Sequence, residues 1–419
     1  MKFFHLADLH FGKQLGGIPL SEKDGSQEYW CRQCLAAVEA ERPDCVLIAG
    51  DVFDRSQPGA EARALASWFL TELAGRTKVL MIAGNHDSGE NVGYLSGLLK
   101  KQGLYAAGRI ERALPRVELE DGFGKVVFWL MPYFFPLLVK ETLSEENLRT
   151  YTEAAAALLG AQEIDEGVRN VLVAHQFVTD GETEPERGGS ETSIGGIGQI
   201  DAGKAGFGIF DYVALGHIHR PQKVGRDTVR YAGAPLCYHF SEAGETDEGN
   251  GRLGILVVEL GSKGEAVRLR RIGTAPLHPL RTIRGRLSDI LEAERTDPRR
   301  NEYVRVLLED EILPQNARES LEAALAEKGS RIAELQRIFN RSALADTAEK
   351  AAQEDKPLAE AFFEYYEEQY PDRPMDEDEQ RIALEAAALL EEAGGAPDEA
   401  ALDRAAQLLA ERAGEGGAA

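Results

Sequence analysis

Three apolar runs in the first 90 residues stop abruptly in polar chemistry, and this constrains the fold more than any other feature. Residues 2–7 run into Asp8-Leu9-His10, residues 45–49 into Gly50-Asp51-Val52-Phe53-Asp54, and residues 78–83 into Gly84-Asn85-His86-Asp87. Helix-like segments at 28–41 and 60–74 separate them. Strand, helix, strand, helix, strand is the rhythm of a layered α/β fold with parallel strands. Such folds carry their sites at the carboxyl ends of the strands. Asp8 and His10, two apart in an extended chain, are expected on one face.

The pattern continues with a predicted strand at 125–131, a helix near 144–159, and a strand at 170–174 ending in His175. A glycine-rich stretch at 181–198 holds few apolar anchors and reads as a surface recognition or gating loop. A strand at 212–215 then ends in Gly216-His217-Ile218-His219, and short strands at 229–232, 253–260 and 266–272 are expected to form a closing β-layer.

From about residue 280 the character changes. Segments 280–285, 287–295, 302–308 and 317–328 alternate strand, helix, strand, helix with no polar cluster. Three regions follow: a catalytic domain at 1–278, a small α/β capping domain at 279–340, and an acidic helical region at 341–419 whose last residues are disordered. In that last region, residues 358–370 crowd five aromatics into nine positions and 379–393 form a helix candidate with Ile382, Leu384, Leu389 and Leu390. On pattern alone, a helical hairpin on the protein's own body and a helix docking to a partner weigh evenly.

At 419 residues and 43% hydrophobic content the chain supports more than one core. No apolar stretch approaches the roughly 20 residues of a membrane span. The N-terminus meets charge too early for a signal peptide, so a cytoplasmic protein is expected. Four cysteines make no disulfide framework at this length, and Cys31-x-x-Cys34 lies in a helix-like run that favours packing over zinc. The net charge of −24 is uneven, with 7 Lys+Arg against 21 Asp+Glu after residue 340, so it does not exclude nucleic acid.

The strand ends supply Asp8, His10, Asp51, Asn85, His86, His175, His217 and His219, which include five of the eight histidines. A lone strand-end histidine is ordinarily structural, but repetition of one chemistry at five ends is not core packing. Oxygen and nitrogen donors without thiolate favour Mn, Fe, Zn or Mg. Seven candidate ligands exceed one coordination sphere, and Asp51 is the natural bridge between two ions that clamp a phosphoryl displacement. His86 is then free for the leaving oxygen. Asp87 orients that imidazole or caps the turn, the first being slightly preferred.

The set Asp8-x-His10, Gly50-Asp51-x-x-Asp54, Gly84-Asn85-His86-Asp87, His175 and Gly216-His217-x-His219 resembles the calcineurin-like metallophosphoesterase superfamily. Leu6-Ala-Asp-Leu-His-Phe-Gly, residues 194–200, 211–221 and 231–236 resemble more narrowly the nuclease subunits of bacterial DNA double-strand-break repair. The resemblance covers residues 1–280 strongly. It implies a layered β-sandwich core flanked by helices. One metal would be held by Asp8, His10, Asp51 and His219, the other by Asp51, Asn85, His175 and His217, with His86 catalytic.

The resemblance further implies manganese, 3′→5′ trimming of double-strand DNA ends, nicking of single strands and hairpins, and homodimers assembled with an SbcC-type, SMC-like ATPase that binds the C-terminal helices around 358–393. Asp54 stands where archaeal and eukaryotic relatives commonly carry His, so its role does not transfer directly. Tyr238-His239 matches no motif, and His239 is read as structural. The rival readings are a stand-alone metallophosphatase or cyclic-nucleotide phosphodiesterase, and a non-catalytic scaffold bridging DNA and ATPase.

Overall fold

A computed structural model describes residues 1–338 except 24, 95, 182, 187–197, 244–252 and 311–315, together with positions 359, 360, 363, 380, 383 and 384. Most of the glycine-rich loop, and nearly all of the aromatic and acidic segments after 340, therefore lie outside the described residues. The chain divides into two units, Met1–Arg281 and Thr282–Ala419.

In the first unit, strands β1 (Lys2–Leu6), β2 (Cys45–Ala49), β3 (Lys78–Ile82) and β4 (Leu104–Ala107) run parallel. Every residue of β2 is buried, as expected for an interior strand covered on both faces. The second sheet holds β5 (Arg116–Asp121), β6 (Gly124–Met131), β7 (Arg169–His175), β8 (Tyr212–Gly216), β9 (Gln222–Val224) and β10 (Arg226–Tyr231), in the order β9-β10-β8-β7-β6-β5. Strands β11 (Gly254–Glu259) and β12 (Arg268–Gly273) complete the first sheet, order β12-β11-β1-β2-β3-β4.

The two sheets face each other. Phe3, Leu47 and Leu80 of one meet Phe128, Leu130, Val171 and Val173 of the other in a single buried cluster, and the Phe3 and Phe128 rings pack edge-on at 5.6 Å. Alternate residues such as Trp129 and Leu172 point to the opposite face, under helices Pro136–Leu143 and Tyr151–Gly160. Helices α1 (Ser26–Glu41) and α2 (Ala60–Ala74) pack together through Trp30 and Phe69, ring centroids 5.8 Å apart. Gln27, Trp30, Cys31, Cys34, Leu35 and Val38 form the buried stripe of α1 at helical spacing. Cys31 and Cys34 are thus free buried thiols of a packing face, as the sequence suggested.

Three sequence expectations change. The helix expected near 144–159 starts only at Tyr151, where Thr150 caps it with Glu153 in a reciprocal box, and a separate helix, Pro136–Leu143, precedes it and ends at Ser144 with φ 59. The closing β-layer is split: 226–231 joins the second sheet beside β8, whereas 254–259 and 268–273 extend the first. Asp8 and His10 do not share an extended strand. β1 ends at Leu6, and both residues take positive φ, 54 and 43.

Arg169, 2% exposed, joins the sheets. Its guanidinium donates to Asp121 (3.1 and 2.5 Å), to the Gly124 carbonyl (2.6 Å) and to the Gly261 carbonyl just past β11 (3.0 Å). The Arg169 hydrogen bonds hold the Asp121 carboxyl well below its ordinary value. The pair therefore stabilises the fold above about pH 4 and loses that contribution as the pH falls toward the folded-state value. Arg169→Ala removes this buried cross-sheet donor and is expected to cost about 3–5 kcal/mol in denaturant unfolding.

The second unit has its own core of Ile290, Val304, Val306, Leu308, Leu321 and Leu325. Strands Leu280–Gly285, Tyr303–Leu308 and Arg331–Arg337 form a three-stranded sheet with helices Leu287–Thr296 and Ala317–Ala326. The third strand is not evident in sequence, since Arg-Ile-Ala-Glu-Leu-Gln-Arg lacks a period-2 alternation of apolar residues. Lys328 and Glu294 form a buried ion pair at 2.6 Å.

Candidate metal centre

The parallel strands β1, β2, β3, β7 and β8 place their carboxyl ends along one rim. Their registers align: Leu6 lies opposite Ile48, Ala49 opposite Ile82, and His175 opposite Gly216. Beyond the strands the loops zip together, Asp8 N–H to Gly50 C=O (3.1 Å), His10 N–H to Asp51 C=O (2.9 Å) and Phe11 N–H to Val52 C=O (2.9 Å). Gln27 supports this from below, its amide donating to the Leu9 and His10 carbonyls at 3.0 and 2.8 Å. Asp8, His10, Asp51 and His217 all hold positive φ, a costly backbone for non-glycine residues and one that concentrates at functional sites.

The seven sequence-predicted ligands are brought together. His10 Nε2 lies 3.2 Å from His219 Nε2 and 3.4 Å from Asp51 Oδ2. The same Asp51 oxygen lies 3.3 Å from His175 Nε2. Asn85 Oδ1 lies 3.0 Å from His175 Nε2 and 2.9 Å from His217 Nδ1. Asp8 accepts the His217 N–H through Oδ1 (2.8 Å), while its buried Oδ2 has no hydrogen-bond partner among the described residues. Asp8, His10, Asp51, His175 and His219 are buried, whereas Asn85 is exposed and His86 and His217 are half-buried, so the centre opens on that side.

The donor set fits divalent cations. His175 Nδ1–H donates to the Ala49 carbonyl at 2.7 Å, which turns Nε2 toward two further acceptors, Asp51 and Asn85. Acceptors facing acceptors need a positive charge between them. With protein charges alone a proton takes that place: burial acts to lower the His175 pKa, the Asp51 carboxylate outweighs it, and the value rises to about 9. Burial alone would raise the Asp51 carboxyl, but His175 and His10 hold it far below the carboxylate range. Burial pushes Asp8 up to about 6 and lowers His10 to about 4 and His217 to about 3, which keeps those rings neutral. Three clusters among the described residues could hold a metal: Asp8 with His10 and His219, Asp8 with Asp51 and His175, and His10 with Asp54 and His86.

Around His86 the structure divides the roles differently from the sequence expectation. Asp87 does not orient the imidazole. Its carboxylate accepts the backbone N–H groups of Gly84 (2.9 Å), Val52 (3.0 Å) and Phe53 (2.8 Å) and so caps the turn. The ring is set instead by the Asp54 backbone carbonyl, which accepts from His86 Nδ1 at 2.9 Å. The Asp54 side chain reaches Lys13 (2.9 Å) and His10 Nδ1 (3.5 Å).

Sequence reasoning passed over Glu242 and gave Tyr238 no role. Glu242 Oε1 accepts from His219 Nδ1 (3.0 Å), and Tyr238 packs edge-on against both His10 and His219. His239 is half-buried, and its Nδ1 meets the Ser241 hydroxyl at 2.7 Å.

Gly84 has no room for a side chain, since a Cβ there would sit 2.1 Å from Asp51 Oδ1 and 2.3 Å from its backbone nitrogen. Gly84→Ala is therefore expected to displace Asp51 and weaken metal binding by at least about tenfold in a manganese titration, as loss of a ligand's positioning does.

This arrangement, with carboxylate, imidazole and amide donors pooled where two facing sheets end, is that of a metallophosphoesterase. Residues 1–221 match the calcineurin-like phosphoesterase family, and residues 276–370 match the type 5 capsule protein repressor C-terminal domain of SbcD proteins. The chain is 30% identical over 308 residues to the SbcD component of the nuclease SbcCD from Staphylococcus epidermidis, covering 72% of this chain and 77% of that one.

Two solved structures are similar at a TM-score of 0.36 each. One is GAP50, the anchor in the inner membrane complex of Plasmodium, at 14% identity, covering 80% of this chain and 96% of that one. The other is a dimetal phosphatase from Danio rerio, at 12% identity, covering 65% and 96%.

The protein is thus a metal-dependent phosphoesterase of the calcineurin-like class. Within that class it belongs to the SbcD family of nuclease subunits. No helix among the described residues is long and apolar enough to cross a membrane.

Proposed function

We propose that the chain is a manganese-dependent DNA nuclease subunit that hydrolyses phosphodiesters at a two-cation centre. It acts as a 3′→5′ exonuclease on double-strand ends and an endonuclease on single strands and hairpins. The observation that carries the reading is Asp51 Oδ2, placed 3.4 Å from His10 Nε2 and 3.3 Å from His175 Nε2, where one oxygen can serve both cation seats. Asp8, His10 and His219 complete one seat, and Asn85, His175 and His217 the other. Bound there, the cations supply Lewis-acid activation of water and neutralise charge that builds on the phosphate.

The chain's own groups do the rest. Asp51 Oδ1 accepts the His86 N–H at 2.9 Å, which ties the acid to the bridge. The Asp54 carbonyl fixes the His86 ring through Nδ1, leaving Nε2 to carry a proton to the leaving oxygen. Substrate enters from the open side, where Asn85, His86 and His217 are accessible. Manganese suits this set because every donor is oxygen or imidazole nitrogen.

In the cell the chain works in the cytoplasm as a homodimer joined to an SbcC-type ATPase through its C-terminal helices. The capping domain, over about 279–340, helps hold the duplex. The relative is itself named as one component of an SbcCD nuclease, which supports this assembly. The test is cleavage of linear, hairpin and circular DNA with Mn²⁺, Mg²⁺ or EDTA. Manganese-dependent cleavage of the linear and hairpin forms is expected. Brisk hydrolysis of small phosphomonoesters with linear DNA left intact would replace the nuclease reading by that of a stand-alone phosphatase.

A further inference from the structure

We propose that the two cation seats are built unequal. The Asp8/His10/His219 seat binds more tightly because carboxylates stand behind both of its imidazoles, with Glu242 as the positioning residue of His219. The inference deepens the two-cation reading above and rests on it.

The geometry differs between the seats. Behind His219, Nδ1 meets Glu242 Oε1 at 3.0 Å, with the two side chains only 5% and 6% exposed. A hydrogen bond from Nδ1–H to a carboxylate leaves Nε2 as the lone pair, and Nε2 is the atom that faces His10 Nε2 at 3.2 Å. Glu242 is itself held, because its Oε2 accepts the Tyr238 N–H at 2.6 Å. The Tyr238 hydroxyl donates to the Leu9 carbonyl at 2.6 Å, the same carbonyl that Gln27 grips beside His10. Behind His10, Nδ1 faces Asp54 Oδ1 at 3.5 Å, and Lys13 holds that oxygen at 2.9 Å.

Behind the other seat the hydrogen-bonding groups are neutral, and a carboxylate stands farther off, Asp8 Oδ1 at 3.9 Å from His175 Nδ1. His175 Nδ1 donates to a backbone carbonyl, that of Ala49, and Asn85 contributes an amide oxygen. Its carboxylate is Asp51, which it shares. A carboxylate behind an imidazole fixes the ring, raises its basicity and adds negative potential toward the cation, and loss of such a partner costs about 10–100-fold in affinity. The first manganese ion therefore goes to the His10/His219 seat and the second to the His175/His217 seat.

The test is a titration of the full chain with Mn²⁺, free metal being read by its electron paramagnetic resonance signal. Wild type is expected to bind two ions in unequal steps. Glu242→Gln keeps an acceptor for the Tyr238 N–H and is expected to weaken the tighter step about 10–100-fold while leaving the weaker step within about twofold. Asp54→Asn, through His10, is expected to weaken the same step and serves if Glu242→Gln folds poorly. Two equal steps in wild type, or a loss shared equally by both steps or absent in both variants, overturns the inference. A wild-type chain that binds no Mn²⁺ overturns the two-cation reading itself.

Discussion

His86→Ala is expected to lower kcat for phosphodiester cleavage by about 10²–10⁴-fold, the range for loss of a positioned general acid, while two manganese ions still bind. The expectation depends on where the ring is held. Its Nδ1 is committed to the Asp54 carbonyl, and its plane packs edge-on against His10 with centroids 4.8 Å apart. The ring thus stands at the open edge of the cluster, able to reach a leaving oxygen without closing either seat. His86 also lies within ligand distance of His10 and Asp54, so a role as a ligand is the competing account. The two separate cleanly, because a ligand's removal costs a bound ion and an acid's removal does not. Single-turnover cleavage and metal stoichiometry, measured on the same preparation, decide between them.

Asp51→Asn is expected to be more damaging. One of its oxygens serves both seats and the other holds the His86 backbone, so the substitution strikes cations and acid together. Activity is expected to fall by more than about 10³-fold, beyond the 10²–10³-fold typical for one lost stabilising group. A second signature appears in EDTA. Asp51 raises the His175 pKa from 6.5 to about 9, so that pair contributes stability that is complete below about pH 6.5 and is lost as the pH climbs through about 9. Unfolding of the metal-free wild type should weaken across that window, and Asp51→Asn should lack the slope.

The parallel strands were legible because their two-sided burial leaves near-continuous apolar runs, as in residues 45–49 and 170–174, and polar clusters mark their ends. Seven ligand candidates could be gathered for the same reason. What sequence could not convey was the backbone between them. Asp8 and His10 reach the centre through left-handed turns that β-strand alternation does not describe.

Supporting residues were hidden too. Glu242 and Gln27 are single polar residues with unremarkable neighbours, and they gain meaning only when loops distant in sequence are folded onto them. Asp87 misled for a related reason, since its adjacency to His86 suggested an ion pair whereas three backbone N–H groups across the turn hold its carboxylate. In the second unit, strand Arg331–Arg337 pairs in parallel with its neighbour although its own pattern is mixed, so tertiary pairing rather than local preference selects it.

The account's central claim is that one carboxylate, Asp51, is shared by two cations. Anomalous diffraction at the manganese edge from manganese-soaked crystals tests it most directly. Two peaks about 3.5–4 Å apart, on either side of Asp51, are predicted. A single peak, or a pair not bridged by Asp51, would contradict the account.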